Sequence, residues 1–251
     1  MRISDQVCWV LHRRPWRESS LLIELFSRDH GRLGVVARGA RGVRSPWRGL
    51  VEPFSPLTAD WSRRGELATL TNLEPTASRV GLTDQALWCG LYLNELVLTL
   101  VGRDDPVPAL FDSYGQALKS LADPVTRALA LRRFEIDLLA TLGVLPDLEH
   151  EAQTGAAISE NGLYHVQPET GLVAVARSGQ GVVSGKAVLL LTGKIEGDRE
   201  TRTQARLLTR WLIDHQLAGK VLKTRELMSA GRTRPAVEHS TSKASAPGDR
   251  Q

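Results

Sequence analysis

Apolar and polar positions alternate through the first quarter of the chain and then stop alternating. "VCWVLHRR" (7–14), "SSLLIELFSR" (19–28), "RLGVVARG" (32–39), "FSPLTADWSRR" (54–64) and "ELATLTNLEP" (66–75) are apolar, β-rich runs of strand length. His30–Gly31 and Arg64–Gly65 fall between runs, where tight turns belong. Five short strands in about seventy residues fit a small barrel or a sandwich, and a barrel leaves no exposed edge.

From Thr83 the period becomes helical. "TDQALWCGLYLNELVLTLVG" has apolar residues on nearly every face, with Thr83 or Asp84 as cap and Gly102 as stop, which predicts a central core helix. "PALFDSYGQALKSLA" spaces Phe111, Tyr114, Leu118 and Leu121 by threes and fours. "DPVTRALALRRFEIDLLATLG" reads as a helix capped by Asp123, opened by Pro124 and ended by Gly143, with Leu131, Phe134, Leu138 and Leu142 inward. Residues 147–182 are turn-rich, with short strands expected at Leu163–Val166 and Leu172–Ala176 and no obvious core of their own. Helices return in "GKAVLLLTG" and "TRTQARLLTRWLIDHQLAG", the latter with Leu208, Trp211, Leu212 and His215 on one side. From Ser229 there is almost nothing apolar to bury, which predicts a disordered tail.

Charge sharpens this picture. The chain has 251 residues and a formal charge of +4, yet residues 1–80 hold thirteen arginines against eight acids, a balance of +5. Arg28, Arg32, Arg38, Arg41, Arg44 and Arg48 face a single acid, Asp29, within the 28–48 stretch. Concentrated positive charge is the footprint of a polyanion partner. In "ARGARGVRSPWRG" (37–49), Gly39 and Gly42 let backbone approach a ligand. Arg38, Arg41, Arg44 and Arg48 offer bidentate forks to phosphates, and Trp47 a face for a base. A second cluster, "LHRRPWRESS" (11–20), places Arg13, Arg14 and Arg17 around Pro15 and Trp16 between two strands. In a five-stranded barrel that is the first loop, one of those lining an oligonucleotide face. The competing reading of both is a solvated surface loop.

Other chemistry finds no foothold. Cys8 and Cys89 lack partners at metal spacing, the six histidines are scattered, and G-x-S-x-G, H-E-x-x-H and C-x-x-C are absent. "GQGVVSGKA" (179–187) misses the phosphate-loop spacing from either glycine and has Ala187 where a hydroxyl is required. No catalytic residue, cofactor or metal is therefore expected. Asp5 and Gln6 interrupt any leader, and no apolar run approaches a membrane span, so a reduced cytoplasmic protein is expected. Arg132 and Arg133 lie off the buried stripe of their helix or at its edge. They read as solvent-facing or as flanking a groove for an acidic, apolar-ended peptide.

"VLHRRPWRESSLLIELFSRDHGRLGVVARGARGVRS", "GLVEPFSPLTADWSRRGELATLTNLEP", "RRFEIDLLATLGVLPDL" and "LKTREL" resemble, in that order, segments of the RecO family of DNA repair proteins. The likeness covers roughly residues 3–228. It implies an α+β chain: an OB-fold barrel (1–80) and a helical domain (81–146 and 183–228) interrupted by a small insert (147–182), with the tail (229–251) set by composition. It implies binding of single- and double-stranded DNA, ATP-independent annealing, and a mediator role that helps load recombinase, at the bacterial nucleoid during repair. The partners implied are RecR and the C-terminal tail of the single-strand-binding protein, the latter on the helical domain, for which Arg132 and Arg133 are the candidates. An adaptor with DNA contact secondary is the alternative. Many members carry four zinc-binding cysteines in the insert; residues 149–181 here contain none.

Overall fold

The computed structural model of the chain describes residues 1–167 and 169–232. Five strands come first: β1 (Arg2–Trp16), β2 (Ser20–Ser27), β3 (Gly31–Ala37), β4 (Pro56–Arg63) and β5 (Ala68–Pro75). A ring of hydrogen bonds closes them in the order β1-β2-β3-β5-β4. β1 pairs with β2 along one half and with β4 along the other, and Val35 and Val36 pair in parallel with Ala68 and Thr69 to complete the circle. This is the OB-fold arrangement.

The alternation that predicts the strands also sorts their faces. Cys8, Val10, Leu21, Ile23, Leu25, Val35 and Trp61 fill the barrel interior, and burial pushes the Cys8 thiol up to about 12. Trp9, Leu11 and Phe26 point outward and join a second, larger core with the helices. The strand β1 is longer than predicted. It carries Arg13 and Arg14 within the ladder opposite Ile23 and Leu22, so only Arg17 of that cluster lies in the turn. A bulge between Val10 and His12 shifts the register by one, which places Arg13 on the face that Ile23 directs to the barrel interior.

The barrel rests on α1 (Asp84–Leu100) and α2 (Pro108–Leu121), followed by α3 (Arg127–Thr141). Trp9 meets Tyr114 edge-on at 5.7 Å and Phe26 meets Phe111 at 5.4 Å. The buried Tyr114 hydroxyl donates to Asn94 Oδ1 (2.5 Å), whose Nδ2 donates to the Leu11 carbonyl (2.6 Å). Residues 101–105 form a strap along β3, where Asp104 N donates to the Arg32 carbonyl at 2.9 Å. Gly31 lies beneath it with φ +65°, and a Cβ there would sit 2.1 Å from the Asp105 carbonyl oxygen. α3 opens three residues later than predicted. Asp123 instead heads a tight turn, accepting from Val125 N at 2.9 Å, and the helix ends with Gly143 at φ +70°.

The insert forms β6 (Leu163–Gln167), β7 (Gly171–Ala174) and β8 (Val182–Ser184), in the order β7-β6-β8. Its apolar residues Tyr164, Val166, Leu172 and Val183 belong to the helical core, so the insert borrows that core. Glu151, 4 % exposed, ties the loops together, accepting from Thr154 N (2.6 Å), Thr154 Oγ1 (2.5 Å) and Ala174 N (3.3 Å). The Thr154 hydroxyl bond, against the cost of burial, and the backbone N–H groups hold its carboxyl below the usual range. A depressed folded value means stability present above the unfolded pKa, about 4.3, and lost as pH falls through the folded value. The urea midpoint of Glu151→Gln should therefore lie below the parent's at pH 7, and the gap should narrow at pH ~3.5. A gap independent of pH would show that the carboxylate charge contributes nothing.

α4 (Gly185–Leu191), α5 (Arg199–Leu217) and α6 (Lys223–Arg232) complete the helical layer. α5 buries Ala205, Leu208, Thr209, Leu212 and Ile213; Trp211 and His215, expected on one side with Leu208 and Leu212, stack on each other at its outer edge. α6 extends through residues 229–232, where composition predicts a disordered tail, and the rest of that tail lies outside the described residues.

Candidate nucleic-acid interface

The two basic clusters meet at one end of the barrel. Arg41 joins them: its backbone N–H donates to the Ser19 carbonyl (3.0 Å), and its Nη1 donates to the carbonyls of Glu18 (3.0 Å) and Arg17 (3.3 Å). Ala40 is buried in the barrel interior beside it. The 37–49 segment continues as successive tight turns, Gly42 N to Gly39 O (3.0 Å), Ser45 N to Gly42 O (3.1 Å) and Arg48 N to Ser45 O (3.3 Å). Gly39, at φ +68° with open space where a Cβ would stand, supplies the first reversal.

Between the latched segments lies an open cleft of about 530 Å³, walled by Arg13, Arg14, Arg41 and Arg48 over Leu21 and Ala40. Arg17, Arg38 and Arg44 are exposed on the same turn and loop but do not line the cleft. Seven guanidinium groups thus gather around one barrel end, with Glu18 and Glu52 as the nearby acids. Arg14 lies 5.8 Å over the Trp16 ring. Trp47 is half-buried and packs on the barrel core together with Leu50, so it is no free platform for a base. Two arginines of the 28–48 run are already taken up by partners, Arg28 at an exposed position and Arg32 at a half-buried one. Arg28 pairs with Asp112 at 3.0 Å, and Arg32 with Glu24 at 3.5 Å while donating to the Val101 carbonyl at 3.1 Å.

Glu52 is the site residue that sequence reasoning missed. It sits 2.6 Å from Arg13 and competes with any anion for that guanidinium. The signal was present as the only acid between Asp29 and Asp60. Removing it should free Arg13, so Glu52→Gln should bind a single strand about two- to fivefold tighter, the worth of a partly exposed pair. Unchanged or weaker binding in a fluorescence titration would place Arg13 outside the interface.

The helical candidates separate from one another. Arg132, 12 % exposed at its side chain, is an internal residue and not the solvent-facing one expected: its Nη2 donates to Glu135 Oε1 at 2.7 Å. Tyr92 donates to that same oxygen (2.7 Å) and accepts from Arg225 Nη2 (3.0 Å). Burial, and then the Glu135 charge, push the Tyr92 hydroxyl far up, so it stays protonated. Arg133 remains outside, 3.4 Å from Asp137. The glycine-rich 179–187 stretch is structural. Gly185 passes so close to Ser159 that a Cβ would fall 1.8 Å from its carbonyl oxygen, and Lys186 pairs with Glu160 at 3.5 Å. Among the described residues, no three His, Cys, Asp or Glu side chains converge as metal ligands, and no helix is long and apolar enough to cross a membrane.

Comparison with known proteins agrees with both halves of this architecture. The model for the recombination protein O N-terminal region matches residues 1–79, and that for its C-terminal region matches residues 85–226. The DNA repair protein RecO of Azoarcus sp. strain BH72 is 43% identical over 232 residues, 90% of this chain and 96% of the relative. That of Alkalilimnicola ehrlichii is 46% identical over 233 residues, covering 90% and 91%. That of Methylococcus capsulatus is 42% identical over 219 residues, covering 87% and 90%. With both halves matched and identity sustained over nine-tenths of its length, the chain belongs to the RecO family of DNA repair and recombination proteins.

Proposed function

We propose that the barrel-end cleft grips the phosphate backbone of DNA, and that the chain acts in recombinational repair by annealing complementary strands without bond-making chemistry. The observation that carries this reading is the latch at Arg41, which brings two separately encoded arginine clusters to one cleft. Guanidinium forks neutralise phosphates whatever the base, so binding is salt-sensitive and largely blind to sequence. With Trp47 packed inward and Trp16 beneath Arg14, the cleft offers little to stack on, which leaves bases free to pair. Shielding two strands offsets their repulsion and raises their encounter rate.

In this reading residues 1–80 are the nucleic-acid-binding unit. The helical layer, 81–146 with 183–228, receives partners, and 147–182 replaces the family's zinc-binding region. RecR and the tail of the single-strand-binding protein are the proposed partners, and through them the chain helps load recombinase on coated DNA. For the tail, Leu129, 54 % exposed, and Arg133 stand one turn apart on α3, apolar and cationic as an acidic, apolar-ended segment requires. Arg132 supports the fold of that helix from within. The test is strand annealing with chelator and no nucleotide, on bare DNA and on DNA coated by single-strand-binding protein. Annealing that proceeds on both supports the reading; annealing that requires nucleotide or metal overturns it.

A further inference from the structure

The charge of this chain is banded. Residues 81–182 hold six basic against thirteen acidic residues, −7, whereas residues 183–232 hold ten against five, +5. Residues 183–232 are thus as positive as the barrel, and the acidic middle offsets them in the chain's total charge. Four of these ten basic residues lie on α5. Arg199, Arg202, Arg206 and Arg210 fall within an arc of about 80° at 3.6 residues per turn, opposite the buried Ala205, Leu208 and Leu212, and span about 16 Å of helix.

The first three have no ion-pair or side-chain hydrogen-bond partner among the described residues, whereas Arg210 reaches Asp214 at 3.6 Å. Their placement does not serve the helix. Cations in the first two turns oppose the positive end of the helix dipole, which Asp198 already caps by accepting from Thr201 N at 2.8 Å. α5 packs on α1, α3, α4 and β8, and the barrel rests on α1 and α2, so helices of the acidic middle lie between the two positive surfaces.

We infer that the exposed face of α5 is a second nucleic-acid surface, which takes the backbone of a second strand through Arg199, Arg202 and Arg206 while the barrel cleft holds the first. Three unpaired cations in a row match a repeating anion. A chain with two such surfaces brings two strands together without forming a dimer, which supplies the encounter that annealing requires. This inference rests on the cleft reading above, and the test separates the two.

The full-length protein is mixed with two short, non-complementary oligonucleotides of different mass, and the complexes are weighed by native mass spectrometry at low salt. The parent should carry both oligonucleotides on one chain. Arg199→Glu with Arg202→Glu and Arg206→Glu, all at exposed positions, should keep first-strand affinity within about twofold and lose the doubly loaded species at least tenfold. An acidic peptide with an apolar end is the control: its loss in this variant with two-strand loading intact would make α5 a peptide dock and overturn the inference. A parent that binds one strand and never two overturns it alone. A parent that binds none overturns the cleft reading as well.

Discussion

Replacing Arg14, Arg38 and Arg44 together by alanine should weaken single-strand binding at least about tenfold at ~0.1 M salt and flatten the salt slope by about two units. These three are chosen because none has a carboxylate partner among the described residues, so alanine removes a phosphate contact without breaking the fold. Each contact to a single strand releases about 0.7 counterion, and three account for the expected change. Arg41→Ala is a different experiment, since its backbone-directed bonds hold the loop against the β1–β2 turn. Arg13→Ala would be blunted by its existing pair with Glu52. A triple variant with parental slope would remove this end of the barrel from the DNA interface.

The second large effect is on stability. Glu135→Ala should cost about 3–5 kcal/mol in urea unfolding, because it strands the Arg132 charge in a nearly closed site. Glu135 is 1 % exposed, accepts from both Arg132 and Tyr92, and connects α3 to α1 and, through Arg225, to α6. The apolar pair Arg132→Met with Glu135→Leu should recover more than half of that loss, since it removes both buried charges and leaves only the Tyr92 hydroxyl without an acceptor, worth about 1 kcal/mol. If the double variant is as unstable as the single one, the pair itself, and not the stranded charge, supplies the stability. First-strand affinity per folded molecule should be unchanged in both, because the network contributes no residue to the barrel cleft.

What the residues reveal unaided follows from how local each cause is. Alternation in β2 places Leu21, Ile23 and Leu25 inside and Phe26 outside without knowledge of any other element. The start of α3 was misread because Asp123–Pro124 carries the signature of a cap and first turn. The chain spends that signature on a turn pinned to α2, where the Thr126 hydroxyl donates to the Ser120 carbonyl at 2.9 Å. Arg132 looks like an edge residue from its own helix. Its burial is decided by Tyr92, 43 residues from Glu135, and by Arg225, 133 residues from Tyr92. Trp47 illustrates the same limit: an aromatic among arginines reads as a base platform until the barrel it packs against is in place.

Glu52 and the bulge at Leu11 were legible only in part. The acid is visible in the sequence, but its pairing with Arg13 depends on the extra residue that places Arg13 on the same face as Ile23. The arginines were countable from the start; which of them remain free for a ligand was not. Arg28 and Arg32 belong to the same basic run as Arg38 and Arg44, yet hold the barrel to the strap and to α2.

The most direct measurement of the central claim is the affinity of the full-length chain for single strands across ~0.05–0.4 M salt, with two oligonucleotides of unrelated sequence. Neutralisation of the backbone by barrel-end guanidinium groups predicts parallel lines with a log–log slope of about −3 or steeper. A nearly flat line, or a strong preference for one sequence, would contradict it.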